Sequence, residues 1–134
     1  MDIIFDIIII IFSAILHEVS HGLTARAFGD KTAEYAGRLT FNPLAHIDIY
    51  GSIVMPLFLW LVSGGRFLFA YAKPVPYNPY NLKNQKWGPA AVAIAGPVTN
   101  FILAAIVAIL LRADVFALGA AQFLFRVVVI NVSL

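Results

Sequence analysis

Apolar runs separated by short polar connections occupy nearly the whole chain. The first, residues 3 to 28, predicts a helix about 39 Å long at about 1.5 Å per residue, sufficient to cross an apolar layer of about 30 Å. It ends near Gly29-Asp30. Asp6, Ser13, His17, Ser20, His21 and Thr24 fall close to one stripe of that helix, and the other faces are Ile, Leu, Phe, Val and Ala. Polar residues in such a helix face a bundle interior or a water-filled cavity. His17 lies about 21 Å along the axis from Ile3, at membrane depth.

Residues 31 to 46 are mixed and partly alternating, which predicts one or two short strands ending at Asn42-Pro43. An exposed edge there would receive an extended peptide by backbone pairing; a plain connecting hairpin fits equally well. Residues 47 to 63 form a second apolar segment with Pro56 inside it. Its uninterrupted part, Ile49 to Ser63, falls short of the roughly twenty residues a span needs, so a kinked or partly inserted helix is expected. The connection from 66 to 86 carries Arg66, Lys73, Lys83 and Lys86 and no acid. Its Pro74-Val75-Pro76-Tyr77-Asn78-Pro79 is extended, because proline disfavours helix in the residue before it. The aromatic residues around it, Phe67, Phe69, Tyr71 and Tyr77, suit an anchor at the membrane surface or an element that gates substrate.

Residues 90 to 111 contain no charge and give the clearest spanning helix. Its alanines and Gly96 permit close approach of a neighbouring helix, Gly96-Pro97 predicts a bend, and Thr99 and Asn100 make a polar spot. A last apolar segment, 115 to 134, carries Gln122, Arg126 and Asn131 and is still running at Leu134. The expected fold is an all-α membrane protein of three to four transmembrane helices, with short strand or extended insertions after the first helix and in the proline-rich loop. Residues 1–134 read as one domain that is incomplete at its carboxyl end.

Composition strengthens the membrane reading. The chain is 61% hydrophobic and 12% charged with a mean hydropathy of +0.88, against about 45–50% apolar and 25% charged in ordinary soluble domains. This implies an integral, multi-pass membrane protein; which membrane is open, and it is the cell membrane if the source is prokaryotic. The amino terminus lacks the basic start and small-residue cleavage site of a secretory signal, so the first helix reads as retained. If the second segment spans, the positive-inside rule places the 66–86 loop in the cytoplasm. The net charge of +2 is spread over short connections rather than gathered in a basic tract, so nucleic acid is not an expected partner. There is no cysteine, so disulfides and thiolate metal sites are excluded. Any zinc must be held by histidine and oxygen ligands.

The chemistry sits on the first helix, at His17-Glu18-Val19-Ser20-His21. Residues at i and i+4 share a helix face, so His17 and His21 can aim ring nitrogens at one metal while Glu18 reaches a water beside it. Random placement in a chain of this composition would produce the pattern roughly once in a thousand shuffles. The competing reading is two helix histidines satisfied by ordinary partners, with Asn100 acting as interhelical glue.

Beyond the motif, the chain resembles the site-2 protease family (peptidase family M50) of intramembrane zinc metalloproteases in four blocks. These are the His17–His21 helix; Asn42-Pro43-Leu44-Ala45-His46-Ile47-Asp48 with Gly51 and Pro56; Lys73-Pro74-Val75-Pro76-Tyr77-Asn78-Pro79; and Ala95-Gly96-Pro97-Val98-Thr99-Asn100. The resemblance implies a zinc cofactor held by His17 and His21, and Glu18 as catalytic general base. It also implies Asn100 or His46 as aids to the oxyanion or to substrate positioning. Membrane-spanning segments of other proteins are the implied substrates and the lipid bilayer the implied surroundings; no feature bears on self-association. The family's third ligand is an aspartate in a Leu-Asp-Gly motif, expected beyond Leu134. Within the chain Asp48 and Asp114 are the substitutes, and neither lies in the family's motif. Two rival functions follow: a truncated, catalytically inactive membrane scaffold of the same family, and a metal or proton translocator using the same ionisable groups.

Overall fold

The computed structural model describes residues 2–67, 72–113 and 118–134. Its elements are helices: α1 (Asp2–Ala27), a single turn α2 (Thr32–Tyr35), α3 (Met55–Val62), α4 (Gly88–Arg112) and α5 (Leu118–Ser133). α1, α4 and α5 pack on one another, and α2 packs on α1. Two helices, Ile4–Ala27 and Gly88–Arg112, are long and apolar enough to cross a membrane. Only 22% of the apolar window of each is buried. The core helix of a soluble protein would be mostly covered; here Ile7, Ile11 and Phe12 of α1, and Ile94, Phe101 and Ile109 of α4, face outward. The chain is a membrane protein whose apolar faces are made for lipid.

α1 stops because Gly29 takes a φ of 106°, closing the helix end as Gly29 N–H donates to the Arg26 carbonyl and Asp30 N–H to that of Ala25. The apolar centre where the connections return to α1 is Ala25, Leu82 and Val92, with Phe28 against it.

No strand occurs among the described residues, so the strands expected between 31 and 46 are corrected. Short polar side chains turn the backbone there instead. Asp30 Oδ1 accepts from Thr32 N–H at 3.1 Å and starts α2; Asn42 Oδ1 accepts from Leu44 N–H at 3.1 Å, and Pro43 opens a 3₁₀ turn, Pro43–His46. Caps of this kind compete directly with ladder pairing, which sequence alternation does not register. The proline-rich connection is free of helix from 72 to 78, then makes a short 3₁₀ turn at Pro79–Asn81.

The second apolar segment is a 14-residue helix, Ile49–Val62, about 21 Å long and short of a span. Asp48 Oδ2 accepts from Gly51 N–H at 2.9 Å to cap it. Its first part, Ile49–Val54, is wound as a π-helix, and regular α-helix begins at Met55 with Pro56 in its first turn. Within this continuous helix Pro56 brings no N–H to the turn before it, and the winding changes from π to α at that point. α4 runs through Pro97 as one helix.

Candidate metal centre

His17 and His21 occupy successive turns on one side of α1, and Glu18 directly follows His17. One ligand-capable atom from each lies within 4.8 Å of the others, and no second such group occurs among the described residues. The two imidazoles meet edge to face, 4.8 Å between centroids and 75° between planes.

Their orientation is set by α4. His21 Nδ1 lies 2.6 Å from the Val92 carbonyl oxygen, which only accepts, so Nδ1 carries the proton and Nε2 the lone pair. His17 Nδ1 lies 3.0 Å from the Asn100 amide. With the amide nitrogen turned toward His17, Oδ1 of Asn100 is buried with no partner. An amide's orientation follows from its hydrogen bonds. With Oδ1 turned toward His17 it accepts from Nδ1–H and frees the Nε2 lone pair, and the amino group Nδ2 takes the unpartnered buried position instead. Both rings then have the outer-sphere support typical of metal-binding histidines.

Gly96 sets how closely α4 meets the two rings. A Cβ at this position would overlap the His17 ring and the Nε2 of His21. Both Nε2 atoms therefore pack against the Gly96 backbone, a closeness that only a residue without a side chain permits. Two neutral imidazoles with a carboxylate beside them suit zinc by ligand type. The residues present fit a zinc ion.

Below the histidines, Ser20 Oγ donates to the Leu16 carbonyl at 2.6 Å, and Thr99 Oγ1 lies 2.7 Å from Ser20 Oγ. Nearer the other end of α1, Ser13 accepts from Asn131 Nδ2 at 2.9 Å, and Asp6 pairs with Arg126 Nη1 at 2.8 Å. Five of the six stripe positions on α1, all but Thr24, thus meet a partner on α4 or α5.

Glu18 is held from outside the bundle. Its Oε2 accepts from Val75 N–H at 2.9 Å, within the strap formed by residues 72–78. Gly22 permits this approach: a Cβ there would lie 2.9 Å from Val75 Cγ1 and 3.1 Å from Ala33 Cβ. Three further bonds fix the strap. Lys73 N–H donates to the His46 carbonyl at 2.9 Å, Arg38 Nη2 to the Lys73 carbonyl at 2.6 Å, and Asn78 N–H to Asp30 Oδ2 at 2.6 Å. Asp30 is fully buried and also accepts from Thr32 and Asn81. Burial pushes its carboxyl up, but the hydrogen bonds from Thr32, Asn78 and Asn81 outweigh this and hold it below its ordinary 3.8.

The structure therefore brings His17, Glu18, His21 and Asn100 together. His46 is buried with Nε2 2.8 Å from the Thr40 carbonyl oxygen, and it meets the strap through its backbone rather than its ring. Asp48 is a helix cap outside the metal group. Asp114 lies outside the described residues. The Val92 carbonyl and the Val75 N–H escaped sequence reasoning because backbone groups have no residue signature. Gly22 and Asp30 were legible only as neighbours of the motif and of the helix end.

An i, i+4 histidine pair with an adjacent glutamate on a spanning helix has the ligand spacing found at metallopeptidase zinc sites, and the comparisons with known proteins give the family. The family model for Peptidase family M50 matches residues 5–133, and the chain belongs to that family. It is 42% identical over 98 residues to the Bacillus subtilis (strain 168) protein named "Putative zinc metalloprotease YwhC", a match covering 73% of this chain and 41% of that protein. It is 32% identical over 103 residues to "Putative zinc metalloprotease Rip2" of Mycolicibacterium smegmatis, covering 77% of this chain and 38% of that one. The chain thus spans about two fifths of the length of the curated relatives it matches. No solved structure matches it significantly.

Proposed function

We propose that the chain is the core of a zinc-dependent endopeptidase that hydrolyses peptide bonds in or near the membrane-spanning segments of other proteins. The observation that carries this reading is the grouping of His17, Glu18 and His21 on α1, with one ligand-capable atom of each within 4.8 Å of the others. His17 and His21 hold the zinc, and an oxygen ligand from outside this group of three completes the site. When bound, zinc supplies Lewis acidity, polarising a carbonyl and acidifying a water.

The chain's own residues do the rest. Glu18 Oε2 is engaged by Val75 N–H, and Oε1 has no hydrogen-bond partner among the described residues. Oε1 is the atom that takes a proton from the attacking water and delivers it to the leaving amine nitrogen. Asn100 keeps His17 in the ligand tautomer, so we assign it as a positioning residue. His46 supports the strap. The outward apolar faces of α1 and α4 suit a multi-pass protein whose substrates arrive through the bilayer. A helical substrate must unwind locally there before its peptide bond can be reached.

The test compares the full-length protein with its Glu18→Gln variant in proteoliposomes containing a membrane-spanning reporter. Wild type is expected to cleave, and the variant to keep its zinc and lose cleavage. Equal cleavage by both would overturn the reading, and cleavage by neither with little zinc bound would favour an inactive scaffold.

A further inference from the structure

Beside the strap lies a cavity of about 400 Å³ that the proposed chemistry does not use. Arg38, Lys73, Gly37, Ala45, Pro74 and Pro76 line it. The lining holds two cations and no acid. Arg38 is 7% exposed, and its Nη2 donates to the Lys73 carbonyl while its Nε is buried without a partner. No carboxylate pairs with Arg38 or Lys73 among the described residues. A guanidinium this buried is costly unless an anion meets it. The planar edge of arginine is built for phosphate or carboxylate oxygens.

The surroundings choose between those anions. Tyr35, Phe41 and Leu44 are 81%, 61% and 74% exposed, and Tyr35 and Leu44 directly precede lining residues Ala36 and Ala45. Large apolar side chains this exposed, on connections leaving the end of a spanning helix, belong at the lipid interface. The nearby 66–86 connection adds positive charge with no acid. Anionic headgroups concentrate at that level and attract such a surface.

We propose that this cavity binds the phosphate of an anionic phospholipid through Arg38 and Lys73, with Tyr35, Phe41 and Leu44 against its acyl chains. The consequence for the metal centre is direct. Arg38 also holds the Lys73 carbonyl, and two residues on, Val75 N–H holds Glu18. A bound lipid therefore braces the strap that orients the general base.

The test is native mass spectrometry of the detergent-solubilised protein titrated with phosphatidylglycerol, which does not depend on peptidase activity. Wild type is expected to retain one lipid per chain. Lys73→Gln, which leaves the backbone bonds of the strap intact, and Arg38→Gln are expected to bind at least about tenfold more weakly, from the loss of a charge-assisted bond. Phosphatidylcholine, whose phosphate is internally compensated, should bind less than phosphatidylglycerol. Equal lipid binding by wild type and a folded Lys73→Gln variant would overturn the proposal. So would saturation of the site by inorganic phosphate, or by an acidic peptide, without lipid retention.

Discussion

α1 and the 14-residue helix Ile49–Val62 are both apolar, yet they relate to the rest of the molecule in opposite ways. α1 carries a polar stripe, and five of its six positions have a partner: Asp6 with Arg126, Ser13 with Asn131, His17 with Asn100, Ser20 with Thr99, His21 with the Val92 carbonyl. Ile49–Val62 carries almost no polar side chain in its α3 part, and α3 packs chiefly on its own leading turn. Leu57, Phe58, Leu61 and Val62 are all more than half exposed. In a bilayer, apolar side chains gain little by leaving lipid for protein, so apolarity alone does not select a neighbour. An unsatisfied polar group is expensive in lipid, and that cost assigns α1 its partners.

The comparison can be broken most decisively at Gly96. Gly96→Ala puts a methyl where both imidazoles lie, so metal content is expected to fall to background while the helix content stays unchanged; retained zinc by elemental analysis would mean that the packing of the rings on Gly96 does not set the site. Asn100→Ala should weaken zinc by about 10–100-fold through loss of the outer-sphere acceptor, with Asn100→Asp restoring part of it, as read by competition with a chromogenic chelator.

The strap is sharpened through Asp30. Its carboxyl is held below 3.8, so its stabilising contribution is complete above that value and is lost as pH falls through the lower folded value. Hydrogen exchange should therefore show Asn78 and Val75 amides protected at neutral pH and released only as the pH falls below 3.8, through the lower folded value. Asp30→Ala should release them by about tenfold or more even at neutral pH. Ser13→Ala, which strips one partner from Asn131, is expected to cost about 0.5–1 kcal/mol in thermal stability. Leu57→Ala on α3 should change it by less than about 0.5 kcal/mol, the size expected where little packing is lost.

Much of this was readable in the chain because polar residues in an apolar helix are informative. The spacing of His17, Glu18 and His21, the stripe they share, and the polar spot at Thr99-Asn100 all fell where the structure has them. The shortness of the second apolar segment was legible from its length alone; the sequence predicted a kinked or partly inserted helix there, and the π winding ahead of Pro56 left no such signal. The segment from 31 to 46 was not, since Asp30 and Asn42 act by capping backbone groups, and a cap leaves no trace in alternation. The orientation of the rings was also hidden. It depends on a backbone carbonyl at Val92 and on which end of the Asn100 amide faces His17, and neither is a property of residue type.

That orientation is the centre of the account, and the imidazole tautomers measure it directly. Long-range ¹H–¹⁵N correlation spectra of the metal-free protein, with His17 and His21 assigned by single substitution, should show both rings protonated at Nδ1 with a free Nε2. Protonation of either ring at Nε2 in the neutral form would contradict it, because α4 would then not be presenting those nitrogens to a metal.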